Sequence, residues 1–203
     1  MVLFLMVLIC QVLAAGDKNT EKTEWYLAKE TQDVSLFYRW IKLENGSETR
    51  EMKAEFTIKA EIPAILSQFS TTENYVEWAV GIKKCGIKKV NDSVWYTHTV
   101  MNYPWPLKQK DLVTKHSVFK NHNQAVIEIE AAPKYFSEMI GIERLKNYKG
   151  TWNLSYNNDS TTSVDYRVVS FEKPHLPRFV QDPLIQKICL ESLVELKELA
   201  ELQ

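Results

Sequence analysis

The spacing of apolar residues along the chain switches between two periods, and the switches mark out its elements. From Arg50 to Lys59 apolar and polar residues alternate, with Met52, Ala54, Phe56 and Ile58 on one face. A period of two predicts a half-buried strand. Val34 to Glu44 alternates in part. Asn45-Gly46 between the two runs predicts a tight hairpin, because both residues tolerate positive φ. Ile62, Ile65, Leu66 and Phe69 then recur at helical spacing around Pro63, which suits a first helical turn. Thr71–Asn74 interrupts, and Tyr75, Val76 and Trp78 resume, so two short helices are expected before Gly81. A further short helix is expected over Trp25–Lys29. From Ile82 onward strand-like runs are separated by polar turns at Asn91–Ser93, Asn121–Asn123 and Asn157–Ser160. The chain closes on a helix, with Asp182 as its expected N-cap, Pro183 as its first residue, and an apolar stripe through Ile185, Ile188, Leu193 and Leu196.

A strand pair, two helices, a long antiparallel series and one long helix make an α+β protein. The sheet must cover one face, and only one long helix is available to do it, which is the helix-grip arrangement. Alternation assigns inward residues strand by strand: Tyr96, His98 and Val100; Ile127, Ile129 and Ala131; Trp152, Leu154 and Tyr156; Val164, Tyr166 and Val168. Several are aromatics with polar tips. A buried tyrosine hydroxyl needs a partner. A cavity supplies one through water or a ligand, and a closed core supplies one through the backbone. Between Ala131 and Lys149 the periodicity fails. An apolar, aromatic loop such as Pro133–Ile140 is expected either to cap a cavity mouth or to pack against the sheet.

Composition then removes function classes. With 25 basic and 26 acidic residues among 203 the chain lacks the basic footprint of a nucleic-acid binder. Its length suits one domain, and its 45% hydrophobic content suits a real core. Residues 1–16 carry no charged side chain, Met1–Ile9 is unbroken apolar sequence, and Ala14 and Ala15 follow. This reads as a secretory signal or a short N-terminal anchor, since the run falls short of the roughly 20 residues that span a bilayer. The domain is then 17–203, exported to a periplasmic or extracellular space. There Cys85 and Cys189 are free to pair, although Cys189 between Ile188 and Leu190 reads as a buried thiol.

No zinc spacing, glycine-rich phosphate loop or nucleophile elbow occurs in the sequence, so neither a metal site nor a cofactor is expected. His122 and His175 fall in loops. His98 and His116 fall on strands, as polar cavity anchors or as half-buried imidazoles bonded to the backbone.

One stretch has a more specific grammar. Tyr103-Pro104-Trp105-Pro106 breaks the sheet between Ser93–Met101 and Leu112–Phe119, because neither proline nitrogen can donate. Lys110-Asp111 then restarts it. Together with Trp78 ahead of the Ile82–Val90 strand, Val94-Trp95-Tyr96, and Pro177–Val180 ahead of the last helix, the passage resembles the START lipid-transfer family. The resemblance runs from Trp25 to Leu202, with Lys110 where the family has arginine. It implies a helix-grip fold around a tunnel for binding, or for binding and transferring, a lipid or other apolar molecule without covalent chemistry. The implied protein is a monomer with transient membrane contact. The implied lining is Tyr96, His98, His116, Ile127, Ile129, Trp152, Tyr156, Tyr166 and Ile188. The opening would come from movement of the last helix or of the Pro133–Ile140 loop. The wider superfamily contains polyketide cyclases. An enzyme using the same cavity, with His98, His116 or Tyr166 as its titrating group, is therefore one alternative, and a solid-core interaction domain is another.

Overall fold

Strand β3 (Glu48–Ile58) folds back antiparallel on β2 (Val34–Lys42) through the expected turn, with Gly46 at φ 77°. This computed structural model describes residues 21–203 apart from 32 and 158–159, so the expected leader lies outside the described residues. Ahead of β2, Tyr26–Glu30 forms edge strand β1 rather than a helix, with Tyr26 opposite Tyr38 and Leu27 opposite Phe37. Five residues cannot sustain an isolated helix, whereas the edge of β2 offers backbone partners. Helices α1 (Ile62–Ser67) and α2 (Thr72–Trp78) follow, and the Thr71 hydroxyl caps α2 by accepting the Asn74 N–H at 3.2 Å.

The remaining strands are β4 (Ile82–Asn91), β5 (Val94–Met101), β6 (Lys110–Lys120), β7 (Gln124–Ala131), β8 (Glu143–Leu145), β9 (Tyr148–Tyr156) and β10 (Thr162–Ser170). Among the described residues they make one ten-stranded sheet in the order β1-β2-β3-β10-β9-β7-β6-β5-β4. Only β8 lies off this path, parallel to β6. The last element, α3 (Arg178–Glu201), packs on α1, α2, β2 and β3, which completes the helix-grip architecture.

Helix α3 begins before the expected Asp182 cap and carries Pro183 inside it. The N–H groups of Val180 and Gln181 both reach the Pro177 carbonyl, so Pro177 starts the helix. Pro183 removes only the hydrogen bond that would return to the Phe179 carbonyl. Phe179 stands in the exposed first turn, where the loss is tolerated.

The interior is solid at one end. There Phe56, Ile58, Phe69 and Leu154 close against Leu193 and Leu196 on the C-terminal half of α3. The outer face of β5 and β6 carries a second packed layer. Tyr135 stacks on Tyr96 with ring centroids 3.5 Å apart, and Phe136 stacks on His98 at 5.6 Å. The loop around residues 133–140 therefore packs against the sheet, and none of its residues reaches the cavity wall. Arg144 on β8, only 5% exposed, pins it by donating to the carbonyls of Pro133, Phe136 and Ser137 and to Asp111.

Candidate ligand-binding site

Helix α3 fills the grip along only half its length. Its C-terminal half plugs the core. Its N-terminal half, through Gln181, Ile185, Ile188 and Cys189, roofs a cavity of about 510 Å³. That volume falls within the range of small-molecule sites. The floor is aromatic: Phe69 meets Trp78 and Trp152 edge-on, each with centroids 5.2 Å away. The Trp78 indole N–H donates to the Gln68 carbonyl at 3.0 Å, which fixes the ring. Met52, Leu112, Ile129, Tyr166 and Val168 form the side walls. Each comes from the inward register of its strand, since alternate residues face one side.

The mouth is charged. The Arg50 guanidinium on β3 pairs with the Asp182 carboxylate on α3 at 2.7 Å and lies 3.8 Å over the Tyr38 ring. The Lys110 ammonium reaches Glu143 at 3.2 Å and Glu172 at 3.5 Å, and sits 2.9 Å from His175 Nε2. The Glu143 carboxyl is held below its ordinary value first by the hydrogen bond from Lys110. Pro106, Leu107 and Lys108 complete the rim from the β5–β6 bend.

Of the nine residues expected on the lining, His116, Ile129, Trp152, Tyr166 and Ile188 stand on the cavity wall, and Tyr96, His98, Ile127 and Tyr156 do not. Tyr96 and His98 face the opposite side of the sheet, because β5 directs Trp95, Thr97 and Thr99 inward. The loop that covers the outer face shields it from water as well, so both faces of β5 carry aromatic and mildly polar residues and the contrast that sets parity is lost. The His98 imidazole instead bonds Asp111 Oδ2 at 2.8 Å. Ile127 points inward but lies in the solid end, fully buried. Tyr156 ends β9 and is exposed. Reading alternation back from Met52 and Trp152 would have found Arg50 and Tyr148, which share their faces. Asp182 gives no such signal, since its sequence context marks a helix start. Cys85 and Cys189 are both free thiols, and burial pushes Cys189 up to about 12.

His116 is a buried polar group on the cavity wall. It is 2% exposed, and its Nε2 lies 3.1 Å from Thr97 Oγ1 and 2.9 Å from Thr114 Oγ1. Its Nδ1 has no protein partner among the described residues. Burial drives its pKa down to about 3, so the ring is neutral at pH 7. The unfolded chain protonates first, near the ordinary value of about 6.5, so stability is lost as pH falls below that value. We expect the urea midpoint to fall steadily between pH 6.5 and 4.5, and His116→Asn to flatten that slope. A slope unchanged by the substitution would contradict a neutral, desolvated imidazole.

No protein-family model matches the chain. In sequence it is 23% identical over 184 residues to an uncharacterized protein of Pseudomonas aeruginosa, covering 90% of each. In structure it superposes on a STAR-related lipid transfer protein from Xanthomonas axonopodis with a TM-score of 0.75 at 21% identity, over 87% of this chain and 98% of that one. The chain has the START fold. Human STARD10 shares it at a TM-score of 0.69 and 14% identity, over 87% of this chain and 72% of that one. So, more distantly, does an aromatase/cyclase from Streptomyces sp. R1128, at 0.55 and 8% identity, over 75% and 94%. Within the START fold this chain divides the Lys110-Asp111 pair between two faces. Lys110 serves the cavity mouth. Asp111 turns outward, fully buried against Arg144, whose Nε donates to its carboxylate oxygens at 3.1 and 3.2 Å. Burial alone would raise the Asp111 pKa, but the hydrogen bonds from Arg144 and His98 outweigh it and hold the carboxyl below the carboxylate range.

Proposed function

We propose that this protein binds one lipid or similar apolar small molecule in the cavity beneath α3 and carries it between membranes without covalent chemistry. The observation that carries this reading is the division of α3 into a plug and a roof. The C-terminal half is committed to core packing, while the N-terminal half spans open volume and is tied across it by the Arg50–Asp182 pair. Release of that pair lets the roof lift while the plug stays seated. The burial of each CH₂ contributes roughly 0.8 kcal/mol, enough for a modest chain to reach micromolar affinity after association costs. The titrating groups inside support a non-catalytic role. Burial leaves His116 a weak base and keeps the Tyr166 hydroxyl protonated far above its ordinary range, so neither is poised near neutral pH.

Membrane contact belongs to the same reading. Trp105 is 91% exposed on the β5–β6 bend and Phe179 is 81% exposed on the first turn of α3. Their neighbours Pro106, Leu107 and Arg178 line the cavity, so two bare apolar side chains flank its mouth. Indole and phenyl groups partition into the lipid headgroup region. We take the carrier to be a monomer holding one ligand per chain. The charge-free apolar run Met1–Ile9 supports our reading that the carrier works in an exported compartment. In a vesicle-to-vesicle assay with a fluorescent phospholipid, Trp105→Ala with Phe179→Ala should slow transfer about tenfold while leaving the amount bound at equilibrium unchanged. Transfer at the wild-type rate would remove docking from the mechanism, and no transfer by the wild-type protein would remove the carrier role.

A further inference from the structure

The middle of the cavity is lined by phenols rather than hydrocarbon alone. Tyr148 on β9 and Tyr166 on β10 bring their hydroxyl oxygens to 3.3 Å, and one proton suffices for that bond. The second proton of the pair has no acceptor among the described residues. Tyr75 enters the same space from α2, and its hydroxyl has no hydrogen-bond partner among the described residues. All three side chains line the cavity and are partly buried, so in the empty site their free hydroxyls face the cavity and its water. A ligand that displaces the cavity water must supply an acceptor or leave these donors unpaired, at a cost on the order of 1–3 kcal/mol each.

The electrostatics at this level narrow the choice of acceptor. Burial raises the pKa of each of the three phenols, with Tyr148 pushed up to about 12, so all remain neutral donors at pH 7. The neighbouring Cys189 thiol is protonated for the same reason. Among the described residues, no ammonium, guanidinium or carboxylate stands between these groups, since the charged lining residues, such as Arg50, Lys110 and Asp182, belong to the mouth. An anionic group would sit there without a counter-charge, and a cation would find no carboxylate. A neutral ketone, ester or hydroxyl oxygen accepts the free protons without bringing charge into the interior.

We propose that the ligand carries a neutral acceptor oxygen within its apolar body, seated on the Tyr148–Tyr166 pair opposite Tyr75. This rests on the cavity being the ligand site. The phenols then set specificity, because a site built to hydrogen-bond an oxygen discriminates strongly against the analogue that lacks it.

Two probes of nearly equal shape test it: 2-acetylnaphthalene, which has the oxygen, and 2-ethylnaphthalene, which lacks it. Calorimetric titration of delipidated protein is compared with titration of Tyr148→Phe/Tyr166→Phe. The double variant should weaken the ketone about tenfold and leave the hydrocarbon within twofold. Tyr75→Phe alone should weaken the ketone severalfold, and it keeps the test valid if the double variant fails to fold. Equal effects on both probes, or none on either, would overturn the oxygen site while leaving the cavity as the ligand site. Failure of folded wild-type protein to bind either probe would overturn both readings together.

Discussion

Asp111→Ala should be among the most destabilising single substitutions in the protein, costing about 3–5 kcal/mol in urea or thermal unfolding. The carboxylate is fully buried and receives Arg144 and His98 from two different elements. Its removal leaves the Arg144 guanidinium, 5% exposed, with carbonyl acceptors but no counter-charge. An uncompensated buried charge costs more than the pair ever contributed, so Asp111→Leu with Arg144→Met should recover much of the loss. Hydrogen exchange should rise first in the loop around residues 133–140, which Arg144 pins, and the cavity should keep its ligand in the variant that remains folded. A cost below about 1 kcal/mol for Asp111→Ala would mean that the outer cluster is solvated and contributes little.

Val168→Trp should abolish ligand uptake with little effect on stability. Val168 projects from β10 into the open half of the interior, between the floor and the mouth. An indole there can extend into volume that is otherwise vacant, with only limited displacement of packed neighbours. The same substitution at Ile127, in the solid end, forces side chains off their rotamers and should destabilise by about 1–3 kcal/mol. The two variants together separate the hollow half of the grip from the packed half. Full uptake by Val168→Trp would mean that the ligand sits elsewhere.

The order of elements was legible because each long strand and helix states its period in its own residues. The hairpin at Asn45-Gly46 and the two short helices occur where their patterns placed them, and the closing helix occurs with an earlier start. Parity was legible where one sheet face meets water: Glu128 and Glu130 fix the direction of Ile127 and Ile129. It was not legible on β5, where Tyr96 and His98 lie under a loop whose position depends on Arg144, some 46 residues away in sequence. Alternation also gives direction without depth. Ile127 and Ile129 share one face of one strand, yet only Ile129 borders the cavity. The boundary between plug and roof arises from how α3 meets α1 and α2, and no local pattern encodes it. The start of α3 was misplaced because Pro183, the usual mark of a first turn, sits here inside the helix, where the single lost bond to the Phe179 carbonyl is tolerated.

The most direct test of the account is native mass spectrometry of the delipidated protein after incubation with mixed-lipid vesicles. The cavity beneath the N-terminal half of α3 predicts a one-to-one adduct of lipid mass on the wild-type chain and none on Val168→Trp. A bare protein mass for the folded wild-type chain, or an equal adduct on both proteins, would contradict it.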